Sequence, residues 1–201
     1  MTHSPPETSL EEYATEFAAK IGAARWSTEN GTVHIYVERD QWVTAGTAAR
    51  DEAGLSFFSW LSAVDWAKEV AVGEPAHDVE SLVERYEVLC RLSSPTEPAA
   101  LILSVSLDKD DAWLESLTSV YAGAAWHERE AAEMFGIDFQ GHPNLINLYL
   151  PQEFEGHPLR KSFALGTREV KPWPGHVDVE EMPSTENVEA AAQSAEGGDG
   201  S

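Results

Sequence analysis

Two Gly-His-Pro motifs in the last third of the chain present the histidines best placed for chemistry. They are Gly141-His142-Pro143 and Gly156-His157-Pro158. Glycine permits positive φ, and proline fixes its own φ and keeps the preceding residue extended, so each ring is presented from a stiff bend. Imidazoles together with carboxylates bind metals, but no third ligand follows at a diagnostic spacing. We therefore favour hydrogen bonding by His142 and His157 that pins a loop, within this chain or on a partner.

Glu128 and Glu130 suggest a general acid–base pair, but their setting argues against it. The segment from Trp126 to Ile137 predicts a helix that Gly136 ends. Side chains two positions apart on a helix do not face each other, so these carboxyls cannot easily share a proton. We expect instead a charged helix that is internally paired or faces a partner, with Arg129 among its contacts. No catalytic, cofactor-binding or metal-binding residue is assigned to the chain.

Basic residues concentrate just after the second motif, although the chain as a whole is acidic. Four of the 13 basic residues fall within the twelve positions from 160 to 171: Arg160, Lys161, Arg168 and Lys171. Two interpretations compete, a site for an anion or phosphate and a basic strap laid on an acidic partner. Pro172-Trp173-Pro174-Gly175 continues the segment as a rigid arm with no core of its own to join. We therefore favour the strap, with Trp173 as its aromatic anchor.

The composition limits the classes of partner. With 13 basic and 35 acidic residues, the formal net charge of −22 argues against binding nucleic acid or docking directly on anionic lipid. The single Cys90 excludes an internal disulfide, a cysteine-held iron–sulfur cluster and a thiolate zinc site within the chain. The longest apolar run, around 99–105, is far shorter than the roughly 20 residues of a membrane span. Residues 1–12 show no secretory signal, so we expect a reducing, cytoplasmic compartment.

Hydrophobic periodicity supplies the elements that must position these residues. We predict helices from Ser9 to Ile21, from Asp40 to Ala49 and after Asp110, and strands over 32–38, 55–61, 86–92 and 99–107, the last two paired as a hairpin. The order indicates an α+β fold with a small mixed sheet of about four strands packed with helices, followed by an extended C-terminal arm. We place a compact scaffold domain at 1–125, the motif helix and partner-binding arm at 126–177, and an acidic disordered tail at 178–201.

The motifs of the last third together resemble the signature of one family. They are, in order, Glu128-Arg129-Glu130, Met134-Phe135-Gly136-Ile137, Gly141-His142-Pro143, Leu150-Pro151 and Gly156-His157-Pro158-Leu159-Arg160-Lys161. This pattern resembles the C subunit, or thirty-kilodalton subunit, of respiratory complex I, the proton-translocating NADH:quinone oxidoreductase. The segment 168–175 is similar to actinobacterial members. Before residue 126 the likeness extends only to length and element order.

The resemblance implies a non-catalytic, hydrophilic subunit of the peripheral arm. It would pack on the large subunit that helps form the quinone pocket, at the cytoplasmic face of a bacterial plasma membrane and without a span of its own. Family members carry no flavin or iron–sulfur cluster, so those cofactors and the quinone would belong to partner subunits. We expect contacts with other complex I subunits at Glu128, Arg129, Glu130, His142, His157, Arg160, Lys161 and Trp173.

Two alternatives stay open. One is the equivalent subunit of a membrane-bound, energy-converting hydrogenase, which shares this building block. The other is a free-standing metal- or phosphate-binding enzyme that uses His142, His157 and Arg160. The chain also departs from the usual family pattern at Glu133, where the family commonly has Asp.

Overall fold

Five strands form one mixed sheet, and apolar patterning marks four of them. The computed structural model describes residues 7–23, 25–71, 79–97 and 99–164. In this part of the chain the elements are α1 (Glu7–Ile21), β1 (Arg25–Glu29), β2 (Thr32–Val37), α2 (Trp42–Asp51), β3 (Phe57–Trp66), β4 (Arg85–Ser93), β5 (Ala100–Leu107), β6 (Trp113–Glu115), α3 (Ala124–Phe135) and β7 (Asp138–Gln140), with 3₁₀ turns at Arg39–Gln41 and Leu117–Ser119. The sheet order is β1-β2-β5-β4-β3. Strands β2 and β5 run parallel and the other neighbours antiparallel, which confirms the α+β class.

All three helices contribute to one core on a single face of this sheet. One row of paired strand residues is at most 1% exposed and consists of Leu61, Cys90, Leu103 and Ile35. Phe17 of α1, Trp42 of α2 and Phe135 of α3 belong to the same buried cluster. Because side chains alternate along a strand, the residues between these point to the opposite face of the sheet.

One local prediction is wrong, and one strand was not predicted. Asp110 and Asp111 do not start a helix, because β6 follows and pairs in parallel with β7. Leu114 and Phe139 face each other in this pair and are at most 2% exposed, so a partner distant in sequence decides the local structure. The sheet has five strands, which agrees with the predicted small mixed sheet of about four. The additional strand is β1, which is short and mostly polar and is not marked by the alternation pattern.

The remaining elements follow the predictions closely. Helices α1 and α2 lie where helical spacing places them, and β4 and β5 pair as the predicted hairpin. No helix in the described ranges is long and apolar enough to cross a membrane. Trp173, Arg168, Lys171 and the tail 178–201 lie outside the described residues. The division of the chain at residue 126 stays a prediction.

Candidate partner-docking site

Helix α3 carries the motif residues, and its two sides have different neighbours. The buried stripe that faces the sheet recurs at spacings of four and three residues and consists of Ala124, Glu128, Ala131 and Phe135. Trp126 lies outside this stripe and is 62% exposed. Gly136 follows in the left-handed region, with φ 74°, and ends the helix as predicted.

The segment 141–164 closes the C-terminal end of α3. From here on we call this segment the strap; it includes only the first residues of the basic segment that begins at Arg160. The last carbonyl groups of a helix have no partner within the helix. Here they accept in order from the strap: Glu133 from His157 Nδ1 at 2.8 Å, Met134 from the Leu159 N–H at 3.1 Å, and Phe135 from Arg160 Nε at 2.6 Å. The second Gly-His-Pro motif and Arg160 therefore cap the helix, and the guanidinium lies at the negative end of the helix dipole.

Gly136 also lets the strap pass directly over the helix end. A Cβ at this position would overlap the Arg160 guanidinium and lie 2.6 Å from His157 Nε2. Such an approach is closer than carbon and nitrogen atoms allow. Glycine at position 136 thus serves two purposes. It allows the positive φ, and it leaves room for the Arg160 and His157 side chains.

Glu133 anchors the middle of the strap. Its carboxylate accepts from the backbone N–H groups of Leu148 at 2.8 Å, Tyr149 at 3.0 Å, and Leu150. Burial by itself would raise the pKa of this carboxyl, but the backbone donors and the charge of Arg129 hold the pKa of Glu133 below its usual range. The ionised form is therefore the one that holds the strap.

Arg129 and His142 fix the first part of the strap. Arg129 donates from Nε to the Ile146 carbonyl and from Nη2 to the Asn147 carbonyl, both at 2.8 Å. His142 accepts at Nδ1 from the backbone N–H two residues further on, so its proton is on Nε2. Nε2 donates to the Ala125 carbonyl at 3.0 Å. Both side chains thus bind the strap to α3 within the chain.

Glu128 lies inside the chain and serves a different contact. It is 0% exposed and accepts from the Ser116 hydroxyl at 2.6 Å and from the Leu117 N–H at 2.7 Å. Burial raises the pKa of Glu128 to about 7, although both hydrogen bonds favour the charged form. The side chain ties α3 to the 3₁₀ turn after β6. It has no surface to offer a partner, so Glu128 is not among the contact residues that we propose below.

The last part of the strap lies against β3. The Lys161 N–H donates to Asp65 Oδ2 at 2.7 Å, and Asp65 also pairs with Lys109 at 2.6 Å. The Lys161 carbonyl accepts from the Ala71 N–H at 2.7 Å. The ammonium group of Lys161 makes no ion pair within the described residues, and the side chain is exposed.

Exposed apolar side chains collect on the strap and on the adjoining face of α3. Five of the seven large hydrophobic residues exposed in the described part lie here: Trp126, Ile146, Tyr149, Phe154 and Leu159. We call these five the docking face. Trp126, Glu130 and Tyr149 border one hollow of about 330 Å³. Ile146 and Phe154 border a second of about 200 Å³ with Arg129. Apolar side chains grouped in this way are typical of a protein–protein contact.

The predicted site residues fall into two groups. Arg129, His142, His157 and Arg160 come together around α3, where their polar groups bind carbonyls of the same chain. Lys161 is exposed, and Glu130 is half-buried at the border of the hollow beside Trp126. The described residues contain no group of three histidine, cysteine or carboxylate side chains that could hold a metal. His142 and His157 each donate to a carbonyl group of α3, so both hold the strap within the chain.

The sequence interpretation missed Trp126 and Tyr149 as exposed residues and Glu133 as an anchor. A signal existed for Trp126, because it lies out of phase with the buried stripe of α3. None existed for Tyr149 or Glu133, because their contact depends on where the strap returns to the helix.

Comparison with known proteins places the chain among respiratory subunits. The sequence profile of the family described as "Respiratory-chain NADH dehydrogenase, 30 Kd subunit" matches residues 35–169. The chain is 36% identical over 154 residues to the C subunit of NADH-quinone oxidoreductase from Roseiflexus sp. (strain RS-1), covering 76% of this chain and 79% of the relative. It is 32% identical over 170 residues to the C/D subunit of NADH-quinone oxidoreductase from Acinetobacter baylyi, covering 84% of this chain and 27% of the relative.

Solved structures share the fold. A trypsin-resistant fragment (1–134) of Nqo5 superposes with a TM-score of 0.52 at 22% identity, covering 68% of this chain and 98% of the fragment. A chain of the membrane-bound sulfane sulfur reductase, an archaeal respiratory membrane complex, superposes with a TM-score of 0.60 at 19% identity. That match covers 75% of this chain and 83% of the other.

Proposed function

Because the chain belongs to the family of the 30 kDa subunit of respiratory-chain NADH dehydrogenase, we propose that it is a non-catalytic docking subunit of a proton-translocating NADH–quinone oxidoreductase. It packs on the larger subunit that helps form the quinone pocket, as a peripheral subunit at the cytoplasmic face of a bacterial plasma membrane. Flavin, iron–sulfur clusters and quinone belong to the partner subunits. The chain contributes to turnover by holding the quinone-pocket subunit in place.

The main support for this proposal is the conformation of the strap. Residues 141–164 contain no helix or strand, and none of them is fully buried. The side chains of Arg129, Glu133 and His157 nevertheless hold this segment in one path through charged and neutral hydrogen bonds. Long loops without secondary structure in a compact domain are usually functional. A loop that is fixed and yet exposes apolar side chains is suited to burial against another protein.

The side chains of the docking face indicate what kind of partner surface would fit it. Trp126 and Tyr149 are each 62% exposed and are the residue types that most often dominate binding energy. The exposed ammonium of Lys161, near the end of the strap, adds a positive charge, which favours an apolar partner surface with carboxylates at its rim. An obligate contact of this kind buries on the order of 2,000 Å². Of the contacts that the sequence predicts, Glu130, Lys161 and Trp173 stay proposed contacts, whereas Arg129, His142, His157 and Arg160 shape the strap.

The size of the partner is supported by the Acinetobacter baylyi relative. That protein is named for two subunits in one chain, and this chain spans 27% of it. The remainder is long enough for a second, larger subunit. A larger subunit joined covalently to a relative of this chain is the expected neighbour of the docking face.

Co-purification from membranes tests the proposal. A tagged chain should retain the large quinone-pocket subunit, identified by mass spectrometry, together with NADH–quinone oxidoreductase activity. The double substitution Trp126→Ala and Tyr149→Ala should release that subunit, because it removes the two largest aromatic groups of the docking face. Nickel-site proteins in place of NADH-oxidising subunits would instead favour the hydrogenase alternative.

Phe57 and Val83 provide the matched control. They are 57% and 70% exposed and lie outside the docking face. Replacing both by Ala removes exposed apolar surface without touching the strap, so assembly should survive. If the docking-face variant keeps the complex and its activity as fully as this control does, the proposal is wrong.

A further inference from the structure

We propose that the helix-free face of the five-stranded sheet is a second docking surface, which takes a carboxylate-rich segment of another polypeptide. This open face consists of the strand residues that point away from the core. Strand register places Arg25, Tyr36 and Ser104 in one row and His34, Arg91 and Trp60 in the next. The docking face belongs to α3 and the strap, so the two surfaces are distinct and this inference does not rest on the proposed function.

The two central rows of the open face carry a charge opposite to that of the chain. The two rows are completed by serines, Leu89 and Ile102, so they contain two arginines and a histidine and no carboxylate. The rows on either side add two glutamates to the same face: Glu29, and Glu87, which pairs with Arg85. The whole chain carries a formal charge of −22. An acidic chain therefore presents a cationic surface here, which suits an acidic partner.

The two arginines also lack counter-ions. Within the described residues, five other basic side chains form ion pairs: Lys20, Arg39, Arg50, Arg85 and Lys109. Arg25 and Arg91 make no ion pair in the same part of the chain, although carboxylates outnumber cations. Arg25 instead lies 3.6 Å over the Tyr36 ring. Both guanidinium groups therefore keep their donors for a carboxylate from outside the chain.

The centre of the open face also contains an unpaired polar group, which neighbouring side chains cover. Ser104 is 1% exposed, and its hydroxyl has no hydrogen-bond partner among the described residues. Trp60 lies beside Arg91 in the next row and offers a half-buried aromatic ring. This combination suits a segment that brings both acidic and aliphatic side chains.

The spacing of the arginines favours a polypeptide over a small anion. Arg25 is on β1 and Arg91 on β4, and β2 and β5 lie between them. At roughly 4.8 Å for each strand, the two Cα atoms are separated by about 14 Å across the sheet. Because the Arg25 guanidinium lies over the Tyr36 ring, one phosphate or carboxylate group would have to draw the two side chains together, whereas an extended acidic segment that crosses the strands can meet each of them in place.

Titration of the full chain with a hexaglutamate peptide, followed by tryptophan fluorescence, tests the chemistry. The substitution Arg91→Glu should weaken peptide binding by about ten-fold or more. Lys20→Glu makes the same change in net charge on α1, on the other side of the sheet, and should leave binding nearly unchanged. Equal effects of the two substitutions would overturn the proposal. So would Arg91-dependent binding of inorganic phosphate alone with no binding of the peptide, because the site would then serve a small anion.

Photo-crosslinking in the membrane-purified complex tests the partner. A photoreactive residue in place of Ser62, which lies on the open face beside Leu89, should attach to an Asp- and Glu-rich segment of another subunit. The same residue in place of Thr15 on α1 should not attach to that segment. If Ser62 yields crosslinks only within its own chain, the open face is not an interface. The strap is unaltered in both experiments, so a negative result leaves the proposed function standing.

Discussion

The Glu133 carboxylate holds the backbone of Tyr149 through both of its oxygens, at 3.0 and 3.2 Å from the same N–H. Tyr149 is in turn 62% exposed on the docking face. A helix side chain that is nearly buried thus fixes the backbone from which a candidate contact residue projects. The relationship explains how a segment without helix or strand keeps a defined surface.

Replacing Glu133 by Gln should loosen this surface. The amide keeps an acceptor but loses the charge, and hydrogen bonds to a charged group contribute about 1.5–3 kcal/mol each. We expect the free energy of unfolding to fall by about 2 kcal/mol, measured by urea denaturation. Hydrogen exchange at Leu148 and Tyr149 should accelerate. Glu130→Gln, on the same helix, is the control and should change neither quantity; equal effects would contradict the role of Glu133.

Replacing Gly136 by Ala should disrupt the crossing of strap and helix. The methyl group adds an overlap with Arg160 and His157 to the cost of a positive φ, which alone is about 1–2 kcal/mol for a residue with a Cβ. Gly141→Ala separates the two effects, because residue 141 has φ 79° and open space around its Cβ position. Thermal unfolding should show a clearly larger loss for Gly136→Ala. Equal losses would mean that only the backbone conformation matters.

Glu128 should make stability depend on pH. Its pKa is raised from the ordinary 4.5 to about 7 in the folded chain. Between these values the folded chain keeps a proton that the unfolded chain has released, so this contribution is present at low pH and is lost as pH rises through about 7. The loss is on the order of 3 kcal/mol. Urea denaturation from about pH 4.5 to about pH 8 should show the decline in the native chain and a flatter profile in Glu128→Gln.

Glu133 should show the opposite dependence. Its pKa is lowered, so its contribution is present above the unfolded value and is lost as pH falls through the lowered folded value. The stability difference between Glu133→Gln and the native chain should therefore shrink in acid, whereas that of Glu128→Gln should not. Parallel profiles for the two variants would contradict the assignment of opposite pKa shifts.

Arg160 and Lys161 are neighbours with separate roles. Arg160→Gln should lower the free energy of unfolding by about 1–2 kcal/mol, because it removes a charged donor to the Phe135 carbonyl and a cation at the helix end. Lys161→Gln should leave stability unchanged and weaken co-purification with the large subunit. Chemical denaturation and pull-down of both variants check this. A loss of stability in Lys161→Gln, or none in Arg160→Gln, would contradict the division.

The order of residues along the chain was enough to predict the fold class, most elements, the end of α3 at Gly136 and the family. These depend on periodicity, turn chemistry and motif order, which are local properties of the chain. The β6–β7 pair and the edge strand β1 could not be predicted in this way, because their burial depends on partners distant in sequence.

The roles of the motif residues, by contrast, emerge only in the folded chain. Arg129, His157 and Arg160 looked suited to a partner, and their charges and donors are used on carbonyls of α3 and the strap. Glu128 and Glu133 are both glutamates on one helix, but one lies over the core and the other faces returning backbone N–H groups. The role of each side chain depends on which groups surround it after folding. The tertiary structure decides which groups those are.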